Sequence, residues 1–224
     1  MAYDNPISRR QALVAAGALA ASAGLVGSRV LGTANGATSS SACVLSPELT
    51  QGPYYLDENL IRRDITEGKD GLALELRLTV EDASTCKPIH RATVEVWHAD
   101  PTGNYSGFDG AATPTTYLRG GQRTNRNGLA IIETIYPGWY QGRTPHIHLK
   151  VHVGGDVVHT GQLFFNDTVT DGVYRRPPYS KRPNRTTRNA ADSIYVNGGS
   201  KSVVKILKRG TGYAGTVTMG VHAS

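Results

Sequence analysis

Two histidines separated by one residue, His146 and His148, are the side chains in this 224-residue sequence whose type and spacing first suggest metal chemistry. They belong to the sequence HIHLKVHV at residues 146–153, whose apolar–polar alternation predicts a β-strand. Alternate side chains of a strand point to one face, so two imidazole nitrogens can meet one metal ion. Surface strands often carry histidines, and the pair alone does not define a site.

Tyrosine and arginine residues lie at turns near this predicted strand. Tyr140 and Arg143 occur in the sequence YPGWYQGRTPH at residues 136–146, where a Pro-Gly pair predicts a tight turn. Tyr105 follows a predicted strand at residues 92–97, within the sequence WHADPTGNYS. The turns can therefore deliver two tyrosines and one arginine toward the histidines.

These segments together resemble the intradiol ring-cleavage dioxygenases, the family of catechol and protocatechuate dioxygenases. The shared motifs are Trp-His-Ala followed by Gly-x-Tyr at residues 97–105, Pro-Gly-x-Tyr at 137–140, and Arg-x-x-His-x-His at 143–148. The resemblance extends over most of the chain after its N-terminal leader. The connection from Tyr140 to His146 is shorter than in the familiar intracellular members, and this short form resembles a secreted subgroup.

The resemblance implies a role for each residue at a motif position. It implies that a ferric ion is bound by four side chains, Tyr105, Tyr140, His146 and His148. It further implies that Arg143 stabilises negative charge developing on the substrate ring, and that Gln162 positions Arg143 or the substrate. Tyr140 would also serve as a catalytic base, and residues 51–55 would line the substrate pocket.

The chemistry of the implied ligands is consistent with ferric iron. A free tyrosine has a pKa near 10, so holding one as phenolate at pH 7 costs about 4 kcal/mol. Two phenolates therefore require a strong Lewis acid, and a hard, highly charged Fe(III) ion suits anionic oxygen ligands. A ferrous oxygenase would need two histidines and one carboxylate, and no carboxylate follows the histidine pair at a comparable position. Copper and zinc oxidoreductases remain alternatives that metal analysis would separate.

The implied activity is cleavage of catechol-type rings between the two hydroxyls, using O2 and giving cis,cis-muconate products. The expected partners are therefore small catechols and O2. A noncatalytic β-sandwich module that binds a surface or a carbohydrate is the alternative. Such a module would have no need of the tyrosine, histidine and arginine set.

Several residues close to the motifs are expected to be structural. Tyr117 and Tyr136 lie outside the motif positions for metal ligands. His98 and His152 are expected to be hydrogen-bonded bystanders, and Trp97 a core residue.

Short alternating or apolar segments predict an all-β fold, an antiparallel β-sandwich with long active-site loops. The clearest is at residues 71–80, where five apolar side chains share one face. The segments from residue 105 to 126 and from 166 to 199 are predicted to be long loops, which are often functional. The seven predicted strands cover residues 71–80, 92–97, 129–135, 147–153, 157–165, 202–207 and 213–221.

The N-terminal 42 residues are predicted to be an export signal and linker, followed by an intradiol dioxygenase-like domain at residues 43–224. Arg9 and Arg10 precede a stretch rich in Ala and Gly that has no charged residue from Gln11 to Ser28. This pattern is typical of a twin-arginine signal. We therefore expect a secreted or periplasmic protein with no stable membrane association after export.

Cysteine content, charge and one missing region of the family add three expectations. The two cysteines, Cys43 and Cys86, predict one disulfide in an exported protein, with two buried thiols as the alternative. The net charge of +6 is modest, and the basic segment at residues 175–188 is predicted to be a solvated loop, not a nucleic-acid site. The helical dimerisation region of catechol dioxygenases has no counterpart in this sequence, so a monomer or weak dimer is expected.

Overall fold

Two four-stranded β-sheets are present in the computed structural model, which describes residues 43–223. The predicted export signal lies outside the described residues. The first sheet consists of β1 (Ala73–Asp82), β4 (Leu129–Ile135), β7 (Lys205–Arg209) and β8 (Gly212–Val221). The second sheet consists of β2 (Thr93–Trp97), β3 (Arg119–Arg123), β5 (His146–Val153) and β6 (Asp156–Phe164). Their strand orders are β4-β1-β8-β7 and β3-β2-β5-β6.

Apolar side chains from both sheets form the layer between them. Leu74, Leu76 and Leu78 of β1 are at most 1% exposed, as are Ile147 and Leu149 of β5, and all five belong to one buried cluster. Full burial of one such side chain contributes about 1.5–3 kcal/mol. The predicted all-β sandwich is confirmed, and its core is built by the alternation seen in the sequence.

Strand direction is antiparallel throughout the second sheet and mixed in the first. In the first sheet β1 pairs antiparallel with β4 but parallel with β8, with Leu74 opposite Tyr213. Side-chain alternation has the same period in both arrangements, so the sequence pattern does not distinguish them. The last strand, β8, thus returns to lie beside the first, between β1 and β7.

The predicted long loops contain regular elements of their own. Strand β3 lies within the segment from 105 to 126, although its sequence RGGQR has no apolar alternation; it forms because it pairs with β2. The segment from 166 to 199 contains helices α1 (Asp167–Tyr174) and α2 (Ser193–Val196). Each helix begins with a side-chain cap, Asn166 for α1 and Asp192 for α2.

The basic segment differs from the solvated loop that its sequence predicts. The Arg185 side chain is only 4% exposed and pairs with Asp167 and Asp171 of α1 at 2.6 and 2.9 Å. Arg188 also pairs with Asp171. Acidic residues on a neighbouring helix therefore neutralise part of this charge.

Within residues 43–223, no helix has both the length and the apolar character needed to cross a membrane.

The N-terminal segment from Cys43 to Tyr55 is fastened to the sandwich at several points. The predicted disulfide between Cys43 and Cys86 is confirmed, with a sequence separation of 43 residues. Closing a loop of that length contributes about 4 kcal/mol on the chain-entropy model. The Glu48 carboxylate accepts hydrogen bonds from His159 Nδ1 at 2.6 Å and from the Thr160 amide at 3.0 Å. These contacts lay the segment across the second sheet.

Candidate active site

The two histidines of the HIH sequence lie side by side on the outer face of the second sheet. Alternation along β5 directs Ile147 into the core and His146 and His148 away from it. Both histidines are nevertheless buried, at 2% and 1% exposure, because the N-terminal segment and the loops cover this face. Their Nε2 atoms are 3.0 Å apart. The pair therefore presents two nitrogens to one enclosed point.

Tyr140 reaches this point through a turn that only glycine permits. A Cβ atom at Gly138 would lie 1.9 Å from the Asp100 carbonyl oxygen. The Pro137-Gly138 turn can therefore pack this closely against the Asp100 backbone only because residue 138 has no side chain. The Tyr140 hydroxyl lies 3.2 Å from His146 Nε2. The predicted turn thus delivers Tyr140 to the histidine pair.

Tyr105 approaches from the loop that follows β2. The loop is held by Asp100, whose amide donates to the Asn104 carbonyl at 2.8 Å and whose carboxylate accepts from the Thr102 amide. The Tyr105 ring is 3% exposed and lies 5.9 Å from the Tyr140 ring, centroid to centroid. Its hydroxyl has no hydrogen-bond partner within the described part of the chain. A buried hydroxyl without a partner is costly, which points to a ligand that it binds.

Burial favours the neutral form of both histidines. Burial, followed by the positive charge of Arg143, lowers the pKa of His146 to about 3. Burial, followed by His146 and Arg143, also lowers the pKa of His148 well below its usual range. The Nδ1 atom of His146 lies 2.7 Å from the Thr144 carbonyl, to which it donates, so its Nε2 keeps a lone pair. A neutral imidazole with a free Nε2 lone pair is able to bind a metal ion, and His146 has this form.

Both tyrosines remain protonated unless a cation stabilises their phenolates. Burial raises the pKa of Tyr105 well above 10, and the neighbouring Tyr140 raises it further. Burial also raises the pKa of Tyr140, although the positive charge of Arg143 opposes this shift. Phenols held neutral by burial need a strongly charged metal ion before they ionise.

The donor set fits a hard and highly charged cation. It combines two neutral imidazoles with two phenols, and the Tyr105 hydroxyl has no hydrogen-bond partner among residues 43–223. Among residues 43–223, no group of three or more His, Cys, Asp and Glu side chains could hold a metal ion. The cluster contains only two residues of these four types, His146 and His148, and its other two donors are tyrosines, which that count does not include. Fe(III) suits such oxygen donors.

Arg143 is held beside the cluster by hydrogen bonds on two sides. Its Nε donates to Asp192 at 2.8 Å and one terminal nitrogen donates to Gln162 Oε1 at 2.6 Å. The other terminal nitrogen faces the Tyr140 hydroxyl at 3.4 Å and His146 Nε2 at 3.3 Å. Gln162 also donates to the Thr50 carbonyl at 2.8 Å, which links Arg143 to the N-terminal segment. The structure thus brings Arg143 and Gln162 together, while their catalytic roles stay predictions.

Aromatic residues of the N-terminal segment form a wall beside the tyrosines. The Tyr54 ring stacks on Tyr105 at 4.3 Å and contacts the edge of Phe108 at 5.4 Å. Gly52 has a φ of +70°, and a Cβ there would lie 3.0 Å from the His148 ring, so this approach requires glycine. The predicted pocket segment at residues 51–55 therefore lies against the cluster.

Of the five residues expected to be structural, four make side-chain hydrogen bonds away from the cluster and Trp97 packs against it. His98 bonds the Thr134 hydroxyl at 2.7 Å, and His152 lies 3.3 Å from the Glu95 carboxylate. The hydroxyls of Tyr136 and Tyr117 bond Thr170 and Asp109, respectively. Trp97 is buried and stacks on the His148 ring at 5.1 Å, so it belongs to the wall of the cluster.

Asp192 is the site residue that the sequence analysis missed. It is fully buried and accepts from Arg143, yet it lies 49 residues farther along the chain. Its only sequence signal is an aspartate placed before a short helix, which predicts a cap and nothing about Arg143.

Comparisons with known proteins identify the family. Residues 50–172 match the family model described as Dioxygenase, and the chain belongs to the intradiol ring-cleavage dioxygenases. It is 27% identical over 146 residues to a chlorocatechol 1,2-dioxygenase of Cupriavidus pinatubonensis, covering 54% of this chain and 56% of that protein. It is 34% identical over 126 residues to catechol 1,2-dioxygenase 2 of Acinetobacter lwoffii, covering 48% and 44%. The chain therefore spans about half the length of the curated relatives it matches.

Solved structures of similar proteins share the fold. An intradiol ring-cleavage dioxygenase from Tetranychus urticae is 37% identical, with a TM-score of 0.77 over 81% of this chain and 96% of that chain. The dioxygenase domain of a dioxygenase carbohydrate-binding fusion from Streptomyces sp. SirexAA-E is 26% identical. Its TM-score is 0.61, over 81% of this chain and all of that domain. The two-sheet sandwich is thus the fold of this family.

Proposed function

We propose that this protein is a non-haem Fe(III) dioxygenase that cleaves catechol-type rings between the two hydroxyls with O2, giving cis,cis-muconate products. The observation that carries the proposal is the meeting of two phenols, that of Tyr105 almost fully buried, with two neutral imidazoles beside Arg143. Family membership adds support, since named relatives are catechol and chlorocatechol 1,2-dioxygenases.

Tyr105, Tyr140, His146 and His148 would hold the ferric ion. A bound Fe(III) supplies the Lewis acidity that stabilises a catecholate dianion and prepares it to react with O2. The two tyrosines have distinct surroundings: Tyr105 is almost fully enclosed, whereas Tyr140 is partly exposed and lies beside Arg143. Tyr105 is thus suited to remain a ligand throughout the reaction.

Tyr140 is the residue placed to move a proton. The Tyr140 side chain is partly exposed, and although burial raises the pKa of Tyr140, the positive charge of Arg143 opposes that shift and favours the anionic form. We assign its phenolate oxygen as the base that accepts a proton from one substrate hydroxyl.

Arg143 would stabilise negative charge that develops on the substrate ring. Two sides of its guanidinium are engaged by Asp192 and Gln162, so its direction is set before substrate arrives. Its remaining terminal nitrogen makes only long contacts of 3.3 and 3.4 Å, which leaves it available to the ring. A fixed charge of this kind acts by preorganised electrostatics.

The walls of the site support a planar aromatic substrate. Tyr54 stacks on Tyr105, and Phe108 lies at the edge of Tyr54 with 47% of its own surface exposed. These rings form an apolar surface beside the two tyrosines, suited to the face or substituents of a catechol.

Iron-loaded protein should be red-brown and should open catechol rings. Tyrosinate bound to Fe(III) gives a visible charge-transfer band, which should shift when catechol binds. The measurement is O2 uptake and muconate formation with catechol, protocatechuate and bulkier substituted catechols, using iron-depleted protein as the control. A colourless protein that forms no ring-opened product from any of them would favour a noncatalytic binding module.

We also propose that residues 1–42 direct twin-arginine export. The disulfide supports a compartment outside the reducing cytosol, because such bonds persist mainly in oxidising environments. Changing Arg9 and Arg10 to lysine should trap unprocessed precursor inside the cell, as followed by immunoblotting of cell and culture fractions. Secretion at the parental level would contradict the twin-arginine route and leave the catalytic proposal intact.

A further inference from the structure

Asp192 is a fully buried carboxylate that connects three parts of the molecule. Its Oδ1 accepts hydrogen bonds from the Ile194 and Tyr195 amides at 2.9 and 3.1 Å, which caps α2. Its Oδ2 accepts from Arg143 Nε at 2.8 Å and from the Thr144 amide at 2.9 Å. Both oxygens are therefore satisfied, and each serves a different element.

Capping alone does not require the second set of contacts. Asn and Ser cap helices about as well as Asp, and α2 has only four residues. A buried carboxylate is costly unless it is paired with a cation, and Arg143 is the cation with which Asp192 pairs. The negative charge at this position is thus explained by Arg143.

The contacts of Arg143 show what Asp192 does to its direction. With Nε held by Asp192 and one terminal nitrogen by Gln162, the remaining terminal nitrogen must face the cluster of Tyr140 and His146. Guanidinium is planar, so fixing two of its edges determines the third. Asp192 also accepts from the amide of Thr144, the residue that follows Arg143, at 2.9 Å.

We propose that Asp192 is a positioning residue for ring cleavage: it directs Arg143 at the reacting ring. The proposal rests on the proposed function. In this proposal, catalysis also requires the charge of Asp192, which lies in the segment between β6 and β7. That segment contains none of the implied metal ligands.

Two substitutions separate this role from helix capping. Asp192→Asn and Asp192→Ser both keep an oxygen that can cap α2, while they remove the charge paired with Arg143. We expect kcat to fall by about 10-fold to 100-fold, the scale of a misplaced catalytic group, with iron content retained and catechol KM little changed. Asn166→Ala is the matched control, since it removes the cap of α1 without touching Arg143. It should lower Tm and keep the parental kcat.

A double-mutant cycle tests whether Asp192 acts through Arg143. In an Arg143→Leu background, Asp192→Asn should cause little additional loss of kcat, because the group that it positions is absent. An equal loss in both backgrounds would overturn the inference, as would parental kcat in both Asp192 variants. If Arg143→Leu itself were harmless, the catalytic role assigned to Arg143 would fail, and the requirement for Asp192 with it.

A measurement on metal-free protein tests the pairing of Arg143 with Asp192 without relying on enzyme activity. In a ¹⁵N NMR spectrum, the Nε proton of Arg143, assigned by its loss in Arg143→Leu, should be downfield and slow to exchange. It should exchange faster in Asp192→Ser. Should both Asp192 variants fail to fold, the parental spectrum still decides, because rapid exchange of that proton there would overturn the pairing. Should no catechol be turned over, slow exchange would still uphold the pairing while the proposed function failed.

Discussion

Replacing His146 and His148 together by alanine should leave the protein without bound iron, without colour and without ring-cleaving activity. The two Nε2 atoms lie 3.0 Å apart, and burial keeps both imidazoles neutral and able to donate lone pairs. Without them, the two phenols have no strongly bound cation to make their ionisation favourable. Loss of a residue that only supports a metal ligand lowers metal affinity by up to about 100-fold. Because this variant loses two implied ligands themselves, we expect iron affinity to fall by more than that.

Metal analysis and visible spectroscopy check this result. His152→Ala is the matched control, since His152 lies on the same face of β5 but bonds Glu95 outside the cluster. The control should keep iron and colour. A double variant that retained both iron and activity would remove the histidines from the metal assignment.

Replacing Arg143 by leucine should retain iron, colour and most catechol affinity while kcat falls by about 10² or more. Arg143 contacts the implied ligands only at 3.3 and 3.4 Å, and its short hydrogen bonds go to Gln162 and Asp192. Loss of one preorganised charge-stabilising group has this effect on kcat and kcat/KM together. Steady-state kinetics with parallel iron analysis provide the measurement.

The controls for Arg143 address charge, geometry and stability separately. Arg143→Lys should recover only part of the rate, because an ammonium does not reproduce the planar fork. Arg188→Leu removes a charge from an arginine whose side chain is 59% exposed, and it should leave kcat unchanged. Arg143→Leu should also lower Tm, since Asp192 is left buried without its cation. Turnover at the parental rate by Arg143→Leu would show that Arg143 does not act on the ring.

Much of the fold was predictable because strand alternation is a local property of the sequence. Leu74, Leu76 and Leu78 alternate with polar residues and line the core as expected. Strand β3 was not predictable, since RGGQR has no apolar period and forms a strand only by pairing with β2. The parallel pairing of β1 with β8 could not be predicted either. Side-chain alternation shows neither which strands are neighbours nor whether they run parallel or antiparallel.

The site divides in the same way between local pattern and long-range packing. By itself, the sequence determined that His146 and His148 share one face and that turns carry Tyr140 and Arg143 toward it, because these relations span only a few residues. Only the tertiary structure decided that the outward histidines are buried, since the N-terminal segment that covers them comes from nearly a hundred residues upstream. It also decided that Asp192 holds Arg143. That contact depends on the path of the chain after β6, which no local periodicity encodes.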